Sequence, residues 1–103
     1  MVYFVSGPRP QFFDNNGAPL VGGQVWIYTA NTTTLKDSYN NYADAAAQTN
    51  PQTNPIILNA RGECTICINS GPIAMTLEDS NVDPNTGHGV VIWTTNYFDA
   101  GDI

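Results

Sequence analysis

The sequence has 103 residues and a net charge of −6, with three Lys or Arg against nine Asp or Glu. That length makes one domain, burying roughly 60–70% of the surface its unfolded chain exposes, and leaves no room for a catalytic domain beside a scaffold. The basic residues Arg9, Lys36 and Arg61 lie far apart, whereas phosphate tracking takes clustered cations, so nucleic acid and anionic membrane surfaces are excluded as partners.

No apolar run approaches the roughly 20 residues of a spanning helix, and Met1–Pro8 lacks the basic start of a secretory signal. The expectation is a soluble protein made in the cytoplasm. Asn, Thr, Gly and Pro are abundant and strong helix formers are scarce. Such a composition favours short strands joined by tight turns.

In chain order, Pro8-Arg9-Pro10 forms a stiff arm that disfavours helix. Gln11-Phe12-Phe13 is a short strand candidate, and Asp14-Asn15-Asn16-Gly17 is a turn. Gly23 to Thr29 is the clearest strand. Its alternation puts Val25, Ile27 and Thr29 on one face and Gln24, Trp26 and Tyr28 on the other. Both faces carry bulk, so one is expected in the core and the other against a second sheet or subunit.

Leu35 to Tyr39 is a short exposed strand candidate. Asn40 to Asn54 looks least ordered, with one helical turn around Ala43–Gln48. Ile56-Ile57-Leu58 is a buried strand candidate, followed by the turn Asn59-Ala60-Arg61-Gly62. Strands are expected at Glu63–Asn69, Ile73–Asp79 and Val90–Thr95, with Ile73, Met75 and Leu77 facing the core. Ser80–Gly89 reads as a long polar loop, and Asn96–Ile103 as a tail.

The fold class that follows is all-β: a small antiparallel sandwich or partly open barrel of about six to eight short strands. It forms a single domain over 1–103, with its core in about 8–95, a short N-terminal arm and a C-terminal tail.

The chemistry-bearing residues form no catalytic constellation. Cys64 and Cys67 have C-x-x-C spacing, but on a strand residues three apart point to opposite faces, so two unpaired thiols are expected. His88 lies between two glycines in a loop and reads as solvated, with no G-x-S-x-G to make a triad. The acids sit mostly at turns or in the tail, and a glycosidase needs two of them facing across a groove. Asp79-Ser80-Asn81-Val82-Asp83 matches half of a calcium loop but lacks its glycine and distal Glu. The expectation is therefore no enzyme, no cofactor and no metal site. Trp26, Trp93 and the Tyr residues are expected to fill the core and a subunit interface.

Three segments in order carry a resemblance. The first is Pro8-Arg9-Pro10-Gln11-Phe12-Phe13-Asp14-Asn15-Asn16-Gly17-Ala18-Pro19-Leu20 with Gly22-Gly23-Gln24-Val25-Trp26-Ile27-Tyr28. The second is Thr33 to Tyr39 with Asn54-Pro55-Ile56-Ile57-Leu58-Asn59-Ala60-Arg61-Gly62. The third is Ile73 to Asn81 with Val91-Ile92-Trp93. Together they resemble the N-terminal virion-anchoring domains of bacteriophage tail fibres and tailspikes.

The resemblance implies a homotrimeric β cap, located in the virion, that docks onto portal-adaptor or tail proteins. It implies an interface drawn from Pro8, Arg9, Pro10, Phe12, Trp26, Tyr28, Tyr39 and Trp93. The chain departs from the pattern in the length of its Ser80–Gly89 loop and in ending at Ile103, which leaves open an excised domain or a short platform protein. The alternative reading is a receptor-recognition module that binds carbohydrate through surface aromatics.

Overall fold

A computed structural model describes residues 2–5, 7 and 9–98, with only the backbone described for 96–98. The expected β-rich fold is present. Among the described residues, six strands form two antiparallel sheets, and one short helix accompanies them. The strands are β1 (Tyr3–Phe4), β2 (Gln24–Thr29), β3 (Ile56–Ile57), β4 (Cys67–Ile68), β5 (Ile73–Glu78) and β6 (Val91–Phe98). The larger sheet has the order β3-β2-β5-β6, and β1 pairs with β4 in the smaller one. Neither sheet closes into a barrel.

The strict alternation of β2 and β5 makes the larger sheet two-faced. Val25, Ile27, Ile73, Met75 and Leu77 project inward and are at most 3% exposed. Tyr3 and Ile68 of the smaller sheet, with Val5, Leu20, Leu58, Cys64 and Ile66, join them in one core. Burying a large aliphatic side chain stabilises by about 1.5–3 kcal/mol, so this cluster dominates the energetics.

Three stretches expected as strands pair only in part, among them Leu35–Tyr39, where Leu35 bridges Tyr28 and Tyr39 bridges Cys67 without forming a regular strand. Segment 11–13 makes isolated bridges, Gln11 with Glu63 and Phe13 with Pro19. Of Glu63–Asn69, only Cys67–Ile68 is regular strand, although Cys64 N–H donates to the Pro10 carbonyl at 3.2 Å and the Val5 N–H donates to Ile66 at 2.9 Å. Pro10 has no N–H to return such a bond, so pairing here proceeds one bond at a time.

The expected helical turn is α1 (Tyr42–Ala47), capped by the Asn41 side chain, which accepts from Asp44 N–H at 2.8 Å. Its Ala45 packs with Tyr39 and Cys67 in a second, smaller cluster. The stretch 40–54 is thus ordered, and two side-chain amides hold it. Gln52 Nε2 donates to Ser38 Oγ and to the carbonyls of Tyr39 and Thr65. Asn54 accepts from Ile27 N–H at 3.1 Å and donates to the Ile27 and Lys36 carbonyls. It fills the edge of β2 between β3, which pairs at Gln24–Val25, and Leu35, which bridges Tyr28. A side-chain amide offers a donor and an acceptor, so it replaces a missing strand residue.

The last strand corrects another expectation. β6 runs to Phe98, so Asn96–Phe98 belongs to the sheet and not to a tail; residues 99–103 lie outside the described residues. Leu77 pairs with Trp93 while Glu78 pairs with Val91, so Ile92 is the extra residue of a bulge. A bulge re-aims side chains. Here Ile92 packs on the core and Trp93 reaches Phe12, their ring centroids 6.2 Å apart.

Candidate functional site

The outer face of the larger sheet carries the most concentrated chemistry. Cross-strand partners share a face. The register sets Ile57 beside Gln24, Gln24 beside Glu78, and Glu78 beside Val91. One step along, Trp26 faces Thr76 and Tyr28 lies between Ala74 and Leu35.

Glu78 is the centre. It is only 2% exposed, which a carboxylate tolerates only when hydrogen-bonded. Oε1 accepts from Trp26 Nε1 at 2.9 Å and from Gly89 N–H at 2.9 Å. Oε2 lies 2.9 Å from His88 Nδ1. Because an ionised carboxylate only accepts, the Nδ1 atom carries the hydrogen. Trp26 Nε1 also reaches Gln24 Oε1 at 3.1 Å.

The His88 ring stacks on Trp26 with centroids 4.2 Å apart and 25° between planes. This corrects the expectation of a solvated histidine: the side chain is half-exposed but paired and stacked. Gly89 makes that possible. A Cβ there would stand 2.9 Å from Asp79 Oδ1 and closer still to the Asp79 carbonyl. The glycine therefore lets the 79–90 loop fold down onto the sheet. Tyr28 completes the group. Its ring is parallel to Trp26 within 7° at 6.3 Å, and burial, then the Glu78 charge, raises its pKa.

Chemically, this arrangement fastens a loop. Both Glu78 oxygens are committed to the fold, so the carboxylate is a brace for His88 and Trp26. Asp79 and Asp83 likewise spend Oδ1 on loop N–H groups, of Asn81 and Val90 and of Asn85. No group of three or more potential metal ligands occurs among the described residues.

Around this polar centre the face is apolar and open. Leu35, Ile57 and Val91 are more than half exposed, and Trp26 and Tyr28 are half-buried. Large exposed side chains grouped on one face mark an interaction surface.

The eight residues expected at an interface separate in space. Trp26 and Tyr28 share the outer face. Phe12 and Trp93 meet instead at the core side of β6, since Trp93 lies opposite the buried Leu77. Arg9 is exposed and pairs with Glu63 at 3.3 Å. Tyr39, at 4% exposure, and Pro10 are buried inside the chain and are struck from the surface candidates. Pro8 lies outside the described residues.

The thiols stand apart, as expected, although only Cys67 lies on a strand. Cys64 belongs to the main core and Cys67 to the cluster with Tyr39, and both are free. Burial pushes the Cys64 thiol up to about 12, against the lowering effect of Arg9, and also raises Cys67. Both are protonated and unreactive at neutral pH.

Sequence reasoning grouped Gln24 with Trp26 and Tyr28 but missed Glu78 and Leu35 as members of the same face. Their signal was register: once β2 and β5 pair antiparallel with Val25 beside Leu77, Gln24 must lie beside Glu78. Comparison with protein-family models, with curated proteins and with solved structures finds no match.

Proposed function

We propose that the chain is a structural, non-enzymatic protein of a bacteriophage virion. In this reading it anchors a tail fibre or tailspike to the tail or portal-adaptor complex and assembles as a homotrimer. The ordered resemblance of the three segments supplies the class of partner. The observation that carries the docking role is the outer sheet face, where Leu35, Ile57 and Val91 stand exposed around Trp26 and Tyr28. Apolar anchors around a stacked Trp, with a satisfied polar centre, suit a protein interface.

The parallel Trp26 and Tyr28 rings favour a second reading, sugar stacking. Against it, His88 already covers one face of Trp26.

The two readings separate in one experiment. Purified tail and portal-adaptor proteins are expected to bind the immobilised chain saturably. Leu35→Asp should weaken that binding by about tenfold or more, the loss of one buried leucine. Absence of binding to any of those proteins, with hits on a glycan array, would transfer the face to carbohydrate.

A further inference from the structure

We propose that Arg9 and Arg61 form a binding site for a single carboxylate, presented by an acidic side chain of a partner protein. The chain has only three Lys or Arg, and the fold brings two of them, 52 positions apart, to one surface hollow of about 370 Å³ lined by Arg9, Asn59, Ala60, Arg61 and Glu63. In a chain of net charge −6, such a place is a local positive island that draws anions.

The hollow is built rather than incidental. Asn59 Oδ1 accepts from Arg61 N–H at 2.8 Å and from Glu63 N–H at 3.0 Å, which fixes the turn. Gln11 Nε2 donates to the Arg61 carbonyl at 2.8 Å, and Phe12 N–H donates to the Gly62 carbonyl at 2.9 Å. These bonds clamp the turn to the segment that carries Arg9. The donors are left over for a ligand. Among the described residues, no hydrogen bond engages the Arg61 guanidinium or Asn59 Nδ2, and Arg9 uses only Nε, toward Glu63 Oε1.

Charge selects the ligand. Two guanidinium groups against the Glu63 carboxylate leave one positive charge. A monoanionic carboxylate neutralises it, whereas a phosphate dianion would overshoot and face Glu63. The guanidinium fork also matches a carboxylate in two parallel bonds. The lining contains no aromatic ring on which a sugar would stack, so the carboxylate of a protein is favoured over that of an acidic glycan. The site involves none of the outer-face residues and stands whether or not the docking reading does.

The test is an NMR titration of the full chain at constant ionic strength with N-acetyl-aspartate methylamide, glucuronate and inorganic phosphate. The expected result is saturable shifts of the Arg61 Nε–H and Asn59 Nδ2 signals with the aspartate probe. Arg61→Gln, an exposed position, should weaken that binding about tenfold, the value of one charge-assisted bond. Arg61→Lys should fall between the two, because it keeps the charge and loses the fork. Tighter binding of glucuronate would overturn the protein source. Phosphate binding as tight as the aspartate probe would overturn the carboxylate preference. Linear, unsaturable shifts, or equal binding by Arg61→Gln, would remove the site.

Discussion

Glu78→Ala is expected to lower folding stability by about 3 kcal/mol, read as a shift of the denaturation midpoint at unchanged slope. A hydrogen bond to a charged group contributes about 1.5–3 kcal/mol. Alanine removes three such bonds, from Trp26 Nε1, Gly89 N–H and His88 Nδ1. The sum is discounted because Trp26 keeps Gln24 as an acceptor and His88 is half-exposed. Gly89 N–H loses its carboxylate outright, and the 79–90 loop should exchange its amide protons faster than the strands it joins.

The milder Glu78→Gln isolates the histidine. A glutamine keeps one acceptor oxygen for Trp26 and Gly89 but turns an amide donor toward His88. The neutral ring must then move its hydrogen from Nδ1 to Nε2. Nitrogen-15 NMR of neutral His88 is expected to report the Nδ1–H form in the parent chain and the Nε2–H form in the variant. The same tautomer in both would contradict the Glu78 brace.

Gly62→Ala should destabilise comparably, by at least about 3 kcal/mol. Gly62 has a φ of 71°, and a Cβ there would stand 2.6 Å from the Phe12 carbonyl oxygen and 2.7 Å from the Leu20 nitrogen. Those two atoms are bonded to each other at 3.0 Å, and Phe12 N–H is bonded to Gly62 itself. The methyl group therefore pries apart the contact between the 59–63 turn and the 12–20 hairpin. Gly17 supplies the control. Its φ of 83° is as demanding, yet nothing lies within 4 Å of an added Cβ. Gly17→Ala should show only the left-handed backbone cost of about 1–2 kcal/mol. Equal losses at the two glycines would mean that backbone conformation alone, without the close approach, accounts for Gly62.

The elements that were legible in the sequence are those whose alternation is complete. β2 and β5 each present an inward apolar row, Val25 and Ile27 in one and Ile73, Met75 and Leu77 in the other, and all five are buried. The turns at Asp14 and Asn59 were legible for a local reason, because each side chain caps the N–H groups two and four residues ahead. What escaped depends on partners distant in sequence. Asn54 reads as a turn residue before proline, yet its amide completes the edge of β2, 27 residues away. His88 between two glycines looks solvated until Glu78 is placed under it by strand register. The bulge at Ile92 sends Trp93 toward Phe12 and away from Trp26, so aromatic residues grouped by composition are divided by the sheet. Tyr39 has the residue type of an interface and the burial of a core.

The central claim is the proposal that the chain assembles as a homotrimer whose outer faces, bearing Trp26 and Tyr28, are left free to dock onto a tail or portal-adaptor protein. Sedimentation velocity across a wide concentration range tests it most directly. The account predicts a trimer that dissociates only on dilution, and the same trimer for Leu35→Asp, whose face is left for the tail partner. A parent chain that sediments as a monomer at the highest concentration reached would contradict it.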